Sequence, residues 1–117
     1  MSDLVVDSSV AVKWFLTEPY STEARRILGE YEKGAMSLLA PDLINAEVGN
    51  VIWKKQIFQG LAAADAQDII MAFCRLTLTL TPTVDLLEDA FRLAVTHRRS
   101  VYDALYLALS LRIGARV

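Results

Sequence analysis

Short apolar runs alternate with longer amphipathic segments along the 117 residues of this chain, and that alternation restricts the fold more than any other feature. Strands are predicted at Leu4–Val6, at residues 35–40 and at Leu76–Thr81, where apolar residues alternate with threonine. The remaining segments have the apolar spacing of helices: residues 10–16, 21–33, 43–59, 62–75, 84–98 and a last helix that begins after Ser100 and ends at Gly114. Strands that alternate with helices form βαβ units, so we expect an α/β fold with a mainly parallel sheet and right-handed crossovers.

Length and composition predict one domain over residues 1–117 and a partner for its surface. The apolar share of 54% exceeds the usual 45–50% or so of soluble proteins. We expect the surplus apolar surface to be buried in a homodimer through the helices at 43–59 and 62–75. Asp3 and Asp7 interrupt the amino terminus where a signal peptide would be apolar, and no apolar run is long enough to cross a membrane, so we expect a cytoplasmic protein.

The counts of cysteine and histidine restrict the metal chemistry. Cys74 and His97 are the only residues of their types, so one chain cannot form a cysteine cluster or a multi-histidine site. We expect Cys74 to be a buried, small apolar side chain. The net charge of −2 argues against a generally basic surface for nucleic acid, although it leaves room for local basic patches.

Three acidic residues occupy similar places in this predicted fold. Asp7 follows the first strand, Glu47 lies one turn into the helix that follows the second strand, and Asp103 lies in the first turn of the last helix, in an S-x-x-D capping box. The structural alternatives are a helix cap or turn for Asp7 and Asp103, and a solvated helix face for Glu47. The exits of parallel strands and the entrances of the following helices lie on one edge of a sheet, so the three carboxylates are expected to converge there.

Convergence of three carboxylates predicts a divalent cation. Two carboxylates about 5 Å apart repel by about 3 kcal/mol at an effective dielectric constant near 20. Oxygen ligands without cysteine or histidine favour Mg²⁺ or Mn²⁺, which can activate water against a phosphodiester. Five basic residues near the three acids are candidates for phosphate contacts, with ordinary solvated charge as the alternative: Lys13, Lys54, Lys55, Arg98 and Arg99.

Three segments carry a family resemblance: LVVDSSV at 4–10, PDLINAEVGN at 41–50 and VYDALYLA at 101–108. They resemble the signature blocks of PIN-domain ribonucleases, and most closely those of VapC-like toxins from toxin-antitoxin pairs. The resemblance implies a three-layer α/β/α fold, cleavage of RNA with Mg²⁺ or Mn²⁺, dimerisation and inhibition by a cognate antitoxin. It also implies that Asp7, Glu47 and Asp103 bind the metal and that Ser8 or Ser9 positions a ligand or water.

The sequence departs from that family pattern in one respect. Family members usually have a further aspartate after the strand that follows the last signature helix, whereas Val117 is reached as that predicted strand begins. We therefore expect a truncated final strand without the fourth acid. The alternative to an active nuclease is a catalytically weak or inactive module that binds RNA or an antitoxin. A phosphoacceptor receiver domain is a third hypothesis, disfavoured because the strand at Leu76–Thr81 has no acid at its exit.

Overall fold

A computed structural model describes residues 2–114 of the chain, and within them a parallel sheet flanked by helices. The strands are β1 (Ser2–Val5), β2 (Met36–Pro41) and β3 (Thr79–Thr81), in the order β1-β2-β3. Both pairings are parallel: Ser2 lies opposite Met36, and Leu39 lies opposite Thr79. The predicted α/β fold with a parallel sheet is therefore confirmed.

Six helices connect and cover these strands in the described part of the chain. They are α1 (Ser8–Lys13), α2 (Ser21–Glu32), α3 (Leu43–Phe58), α4 (Ala63–Cys74), α5 (Thr83–His97) and α6 (Val101–Ile113). Helix α1 packs against α2 and α3, while α6 packs against α5 and against the sheet. No helix in residues 2–114 combines the length and apolarity that a membrane span requires.

The core lies where apolar helix stripes meet the sheet. Ile44, Val48 and Ile52 recur every fourth residue along α3 and are almost completely buried. Because residues four apart lie on one helix face, this spacing turns a single stripe of α3 inward. Leu38 of β2 and Leu109 of α6 are buried in the same cluster. This packing fixes α3 and α6 on the sheet, and both helices carry acids of the predicted site.

The third strand is shorter than its alternating sequence predicts. The backbone N–H of Leu76 donates to the Phe73 carbonyl at 3.1 Å, and that of Thr77 donates to the Tyr31 hydroxyl at 2.9 Å. These donors are used by the end of α4 and by α2, so ladder pairing begins only at Thr79. The predicted strand over Leu76–Thr81 was therefore wrong in its first half.

Other local predictions also differ from the structure. Cys74 is exposed instead of buried, because it lies at the last turn of α4, away from the core. The apolar residues around the circumference of the last helix predict that it is buried on all sides. Instead, α6 packs on α5 and the sheet and leaves Tyr102 and Leu111 largely exposed. The place of Asp42 just before α3 predicts a helix cap, but its carboxylate accepts from the Thr83 N–H at 3.0 Å and not from α3. The strand predicted at residues 115–117 lies outside the described residues.

Candidate active site

A cavity of about 520 Å³ lies beside the exit of β1, and the three predicted acids line it together. Asp7 comes from the β1–α1 junction, Glu47 from α3 and Asp103 from α6. The other lining residues are Ser8, Ser9, Leu93, His97, Arg99, Ala104, Tyr106 and Leu107. The fold thus brings to one cavity three carboxylates that are far apart in sequence, together with both serines predicted to position a ligand.

Asp7 is held in place by the start of helix α1. Its backbone is extended (φ −100°, ψ 174°), which is the usual conformation of a residue that caps a helix. Its Oδ1 accepts from the Val10 N–H at 3.0 Å and from the Ser9 hydroxyl at 2.6 Å. Asp7 is therefore a helix cap and also lines the cavity. Both hydrogen bonds go to Oδ1, so neither of them occupies Oδ2.

Glu47 is connected to α6 through Tyr106, a residue that the sequence analysis did not single out. The buried Tyr106 hydroxyl donates a hydrogen bond to Oε1 of Glu47. Burial raises the pKa of Tyr106 well above its ordinary value of 10.0, and the hydrogen bond to Glu47 raises it further. The negative charges of Glu47 and Asp7 act in the same direction, against a smaller opposing effect of a backbone hydrogen bond from Ser8. The phenol consequently keeps its proton, and remains a donor to Glu47, to a higher pH than an ordinary tyrosine.

Asp103 enters the cavity from the first turn of α6. Its backbone N–H donates to the Ser100 hydroxyl at 3.1 Å, so the predicted capping interaction is present. A negative side chain in the first turn is favoured by the partial positive charge of the helix N-terminus. The short connection before it, residues 98–100, turns through Arg98 in a left-handed conformation (φ 53°). Arg99 then donates its N–H to the Ala94 carbonyl at 3.1 Å, and its side chain lines the cavity.

Of the five basic residues predicted to contact phosphate, Arg99 lines the cavity. Lys13 donates to the Ser9 carbonyl at 3.1 Å and lies 3.9 Å from the Glu18 carboxylate, which Lys55 approaches to 3.2 Å. Lys54 and Arg98 are exposed and do not line the cavity. Lys13 and Lys55 therefore share the Glu18 carboxylate, and neither lines the cavity.

The comparisons with known proteins agree with this arrangement. The model of the PIN domain matches residues 4–117. The chain belongs to the PIN-domain family. It is 32% identical over 117 residues to Ribonuclease VapC3 of Pyrobaculum aerophilum, an alignment that covers 97% of this chain and 86% of that protein. The resemblance to VapC-like PIN-domain ribonucleases is thereby confirmed.

The donor atoms of this PIN domain's cavity are of the type that a hard divalent cation prefers. Asp7, Glu47 and Asp103 offer carboxylate oxygens, and none of the three pairs with a lysine or arginine within residues 2–114. Their spacing is open, because no three acidic, histidine or cysteine side chains among those residues are close enough to ligate one ion. Mg²⁺ commonly binds through one or two carboxylates and completes its shell with water and phosphate, so a wider site still fits it.

Sequence reasoning missed Tyr106 and His97 in this PIN domain. Tyr106 lies three residues after Asp103 on the same helix, so helical spacing could have placed both near one site. Its neighbours in sequence are apolar, however, and a tyrosine among them resembles an ordinary core residue. His97 ends α5 and lines the cavity beside the α5–α6 connection.

Proposed function

We propose that this PIN domain is an endoribonuclease that depends on Mg²⁺ or Mn²⁺, and that it is the toxin of a toxin-antitoxin pair. The observation that carries the proposal is the meeting of Asp7, Glu47 and Asp103 in one cavity without a basic partner among the described residues. The name of its relative, Ribonuclease VapC3, supports RNA as the substrate. A bound divalent ion would supply an activated water and neutralise negative charge on the phosphodiester.

The residues of the chain have separate tasks in this proposal. Asp7 and Asp103 would hold the cation from two helix starts, and Glu47 would do so with its carboxylate oriented by the Tyr106 hydroxyl. Arg99 at the cavity would contact a phosphate of the RNA. Ser9 would keep Asp7 in its orientation, since its hydroxyl donates to Oδ1.

The experiment that tests this proposal is removal of one charge at a time. We expect Asp7→Asn and Asp103→Asn to lower Mg²⁺-dependent cleavage of single-stranded RNA by at least about 100-fold, because each removes a charge that attracts the cation. Asp65→Asn on α4 is the matched control, since Asp65 is exposed and does not line the cavity. Circular dichroism shows whether each variant is folded. Cleavage by folded Asp7→Asn and Asp103→Asn at the rate of the parent would contradict the proposal.

A second candidate function is a PIN-domain module that binds RNA or an antitoxin without cutting. The open spacing of the acids favours it, since no three ligands are close enough to hold one ion among residues 2–114. Titration calorimetry with Mg²⁺ and Mn²⁺ separates the two functions. Binding at millimolar metal that is lost in Asp7→Asn supports the nuclease, and no binding by the parent supports the module.

We propose a cytoplasmic location, where RNA and an antitoxin would be present, and a homodimer that buries the exposed apolar end of α3. Trp53, Ile57 and Phe58 are 52%, 54% and 72% exposed there, and the rings of Trp53 and Phe58 pack edge to face with centroids 5.7 Å apart. We expect Ile57→Glu to convert a dimer to a monomer in light scattering. Phe91→Glu, on the exposed face of α5, is the control. A dimer that survives Ile57→Glu but not Phe91→Glu would contradict the proposed interface.

A further inference from the structure

A second cavity lies along the seam between α5 and α6 and adjoins the first. It has a volume of about 390 Å³, and Leu93 lines both cavities. The two helices are joined by three residues, 98–100, and therefore form an antiparallel hairpin. His97 and Asp103, near the connection, line the first cavity, whereas Arg92 and Arg112 line the second. We call the two cavities together the α5–α6 groove.

The groove leads away from the acids over a distance that suits an extended ligand. Asp103 lies at its first end and Arg112 at its second. At 1.5 Å per residue of helix α6, these positions are separated by about 13 Å along the axis. A ligand bound at the acids must therefore extend beyond the reacting group in order to reach Arg112.

The second end of the groove carries an excess of positive charge. Arg92 donates to Oδ1 of Asp89, and Arg112 approaches Oδ2 of the same carboxylate at 3.4 Å while it donates to the Asp85 carbonyl at 2.7 Å. One carboxylate thus serves two guanidinium groups. Each guanidinium has five N–H donors, so both retain donors for another anion. The Arg92 and Arg112 side chains are 69% and 43% exposed.

Apolar surface accompanies these charges. Leu93 lies where the cavities meet, and Leu111 lines the second one with 64% of its surface exposed. Arg99 adds a positive charge at the acidic end. Guanidinium groups along a track with apolar surface between them suit a single-stranded nucleic acid, whose phosphates pair with arginine while its bases cover apolar side chains.

We infer that the α5–α6 groove binds the single-stranded RNA that flanks the cleavage position, with Arg92 and Arg112 contacting phosphates remote from the acids. This inference rests on the proposed ribonuclease function, because it extends the substrate of the same site. Charge favours RNA over a polypeptide, since RNA carries a negative charge at every nucleotide. The two cavities adjoin at Leu93, so one strand can extend from the candidate active site into the second cavity.

The test measures binding separately from cleavage. A fluorescein-labelled single-stranded RNA of 12 nucleotides is titrated with the parent, Arg92→Gln and Arg112→Gln in metal-free buffer at several salt concentrations. We expect each variant to weaken binding about three- to tenfold and to reduce the slope of log K against log salt by about 0.7, the value for one lost phosphate contact on a single strand. Arg92→Lys should recover part of the affinity, because it restores the charge.

Two controls make the result specific. Arg26→Gln on α2 removes an exposed arginine that lines neither cavity, and it should leave affinity unchanged. A 12-residue polyglutamate should compete poorly with the RNA. Competition by polyglutamate at the same concentration as RNA, lost in Arg92→Gln, would assign the groove to an acidic polypeptide and overturn the inference.

The outcomes for the groove and for the nuclease are distinguishable. If the parent cuts RNA and folded Arg92→Gln and Arg112→Gln bind it as tightly as the parent, the groove inference is overturned and the proposed function stands. If binding depends on Arg92 and Arg112 but the parent cuts no RNA with Mg²⁺ or Mn²⁺, the groove is supported and the nuclease proposal fails. Thermal unfolding followed by circular dichroism shows that the variants retain the parent fold.

Discussion

Replacing Tyr106 by phenylalanine isolates one hydrogen bond of the candidate site. The substitution removes only the hydroxyl, which donates to Glu47, and leaves the buried ring in the core. A hydrogen bond to a charged acceptor contributes about 1.5–3 kcal/mol to stability. We therefore expect Tyr106→Phe to lower the free energy of unfolding by about 2 kcal/mol at pH 8. For a domain of this length the corresponding loss in Tm is roughly 8 °C.

The same substitution should change how stability responds to alkaline pH. The pKa of Tyr106 is higher in the folded protein than its ordinary value of 10.0, so the unfolded chain loses the phenolic proton first. The unfolded state then binds fewer protons than the folded state, and stability falls as pH rises above about 10. At pH 11 this contribution lowers the parent's stability by about 1.4 kcal/mol. Tyr106→Phe lacks it, so its deficit relative to the parent should shrink by that amount.

Urea denaturation followed by circular dichroism at pH 8 and pH 11 measures both effects. Tyr102→Phe is the matched control, because Tyr102 lies one turn earlier on α6 and is 61% exposed. We expect this control to match the parent at pH 8. Equal stability of Tyr106→Phe and the parent at pH 8, with the same loss between pH 8 and pH 11, would refute the assignment of a protonated, donating phenol.

Two further predictions concern the helices that carry the acids. Gly60→Ala should destabilise the protein by about 1 kcal/mol, because Gly60 follows α3 in a left-handed conformation (φ +76°). Gly49→Ala within α3 should stabilise it by about 0.5–1 kcal/mol, because the added methyl meets no atom within 4 Å. Chemical denaturation of both variants checks these opposite signs. Ser100→Ala should cost about 1 kcal/mol by removing the cap of α6, and an unchanged Tm would contradict that role.

The sequence predicted the order of strands and helices because each depends mainly on local apolar spacing. It predicted β3 poorly, since the start of that strand depends on a hydrogen bond between Thr77 and Tyr31, which are 46 residues apart. The apolar residues of α5 include Leu87 and Phe91, although both are about half exposed. Periodicity gives the apolar face of a helix, but only tertiary packing decides how much of that face is covered.

The candidate site shows the same division between local and distant information. Topology alone predicts that strand exits and the starts of the following helices share one edge of a parallel sheet, and Asp7, Glu47 and Asp103 line one cavity. The Tyr106–Glu47 hydrogen bond joins residues 59 apart and depends on how α6 packs near α3, which no local pattern specifies. The pairing of Lys13 and Lys55 with Glu18 was likewise hidden, since it brings the connection between α1 and α2 beside α3.

The parallel sheet bears on the stage of folding at which the candidate active site is assembled. Each strand pairing spans a complete crossover, whereas the α5–α6 hairpin closes through three residues. Contacts between distant segments form slowly, because the entropy of loop closure is lost before the contacts stabilise the chain. The hairpin is therefore expected to form early and the sheet late. Asp7 and Glu47 are brought together only when the sheet forms, so a half-folded or newly synthesised chain would contain no assembled candidate active site. The interval before folding would therefore be harmless to the RNA around it.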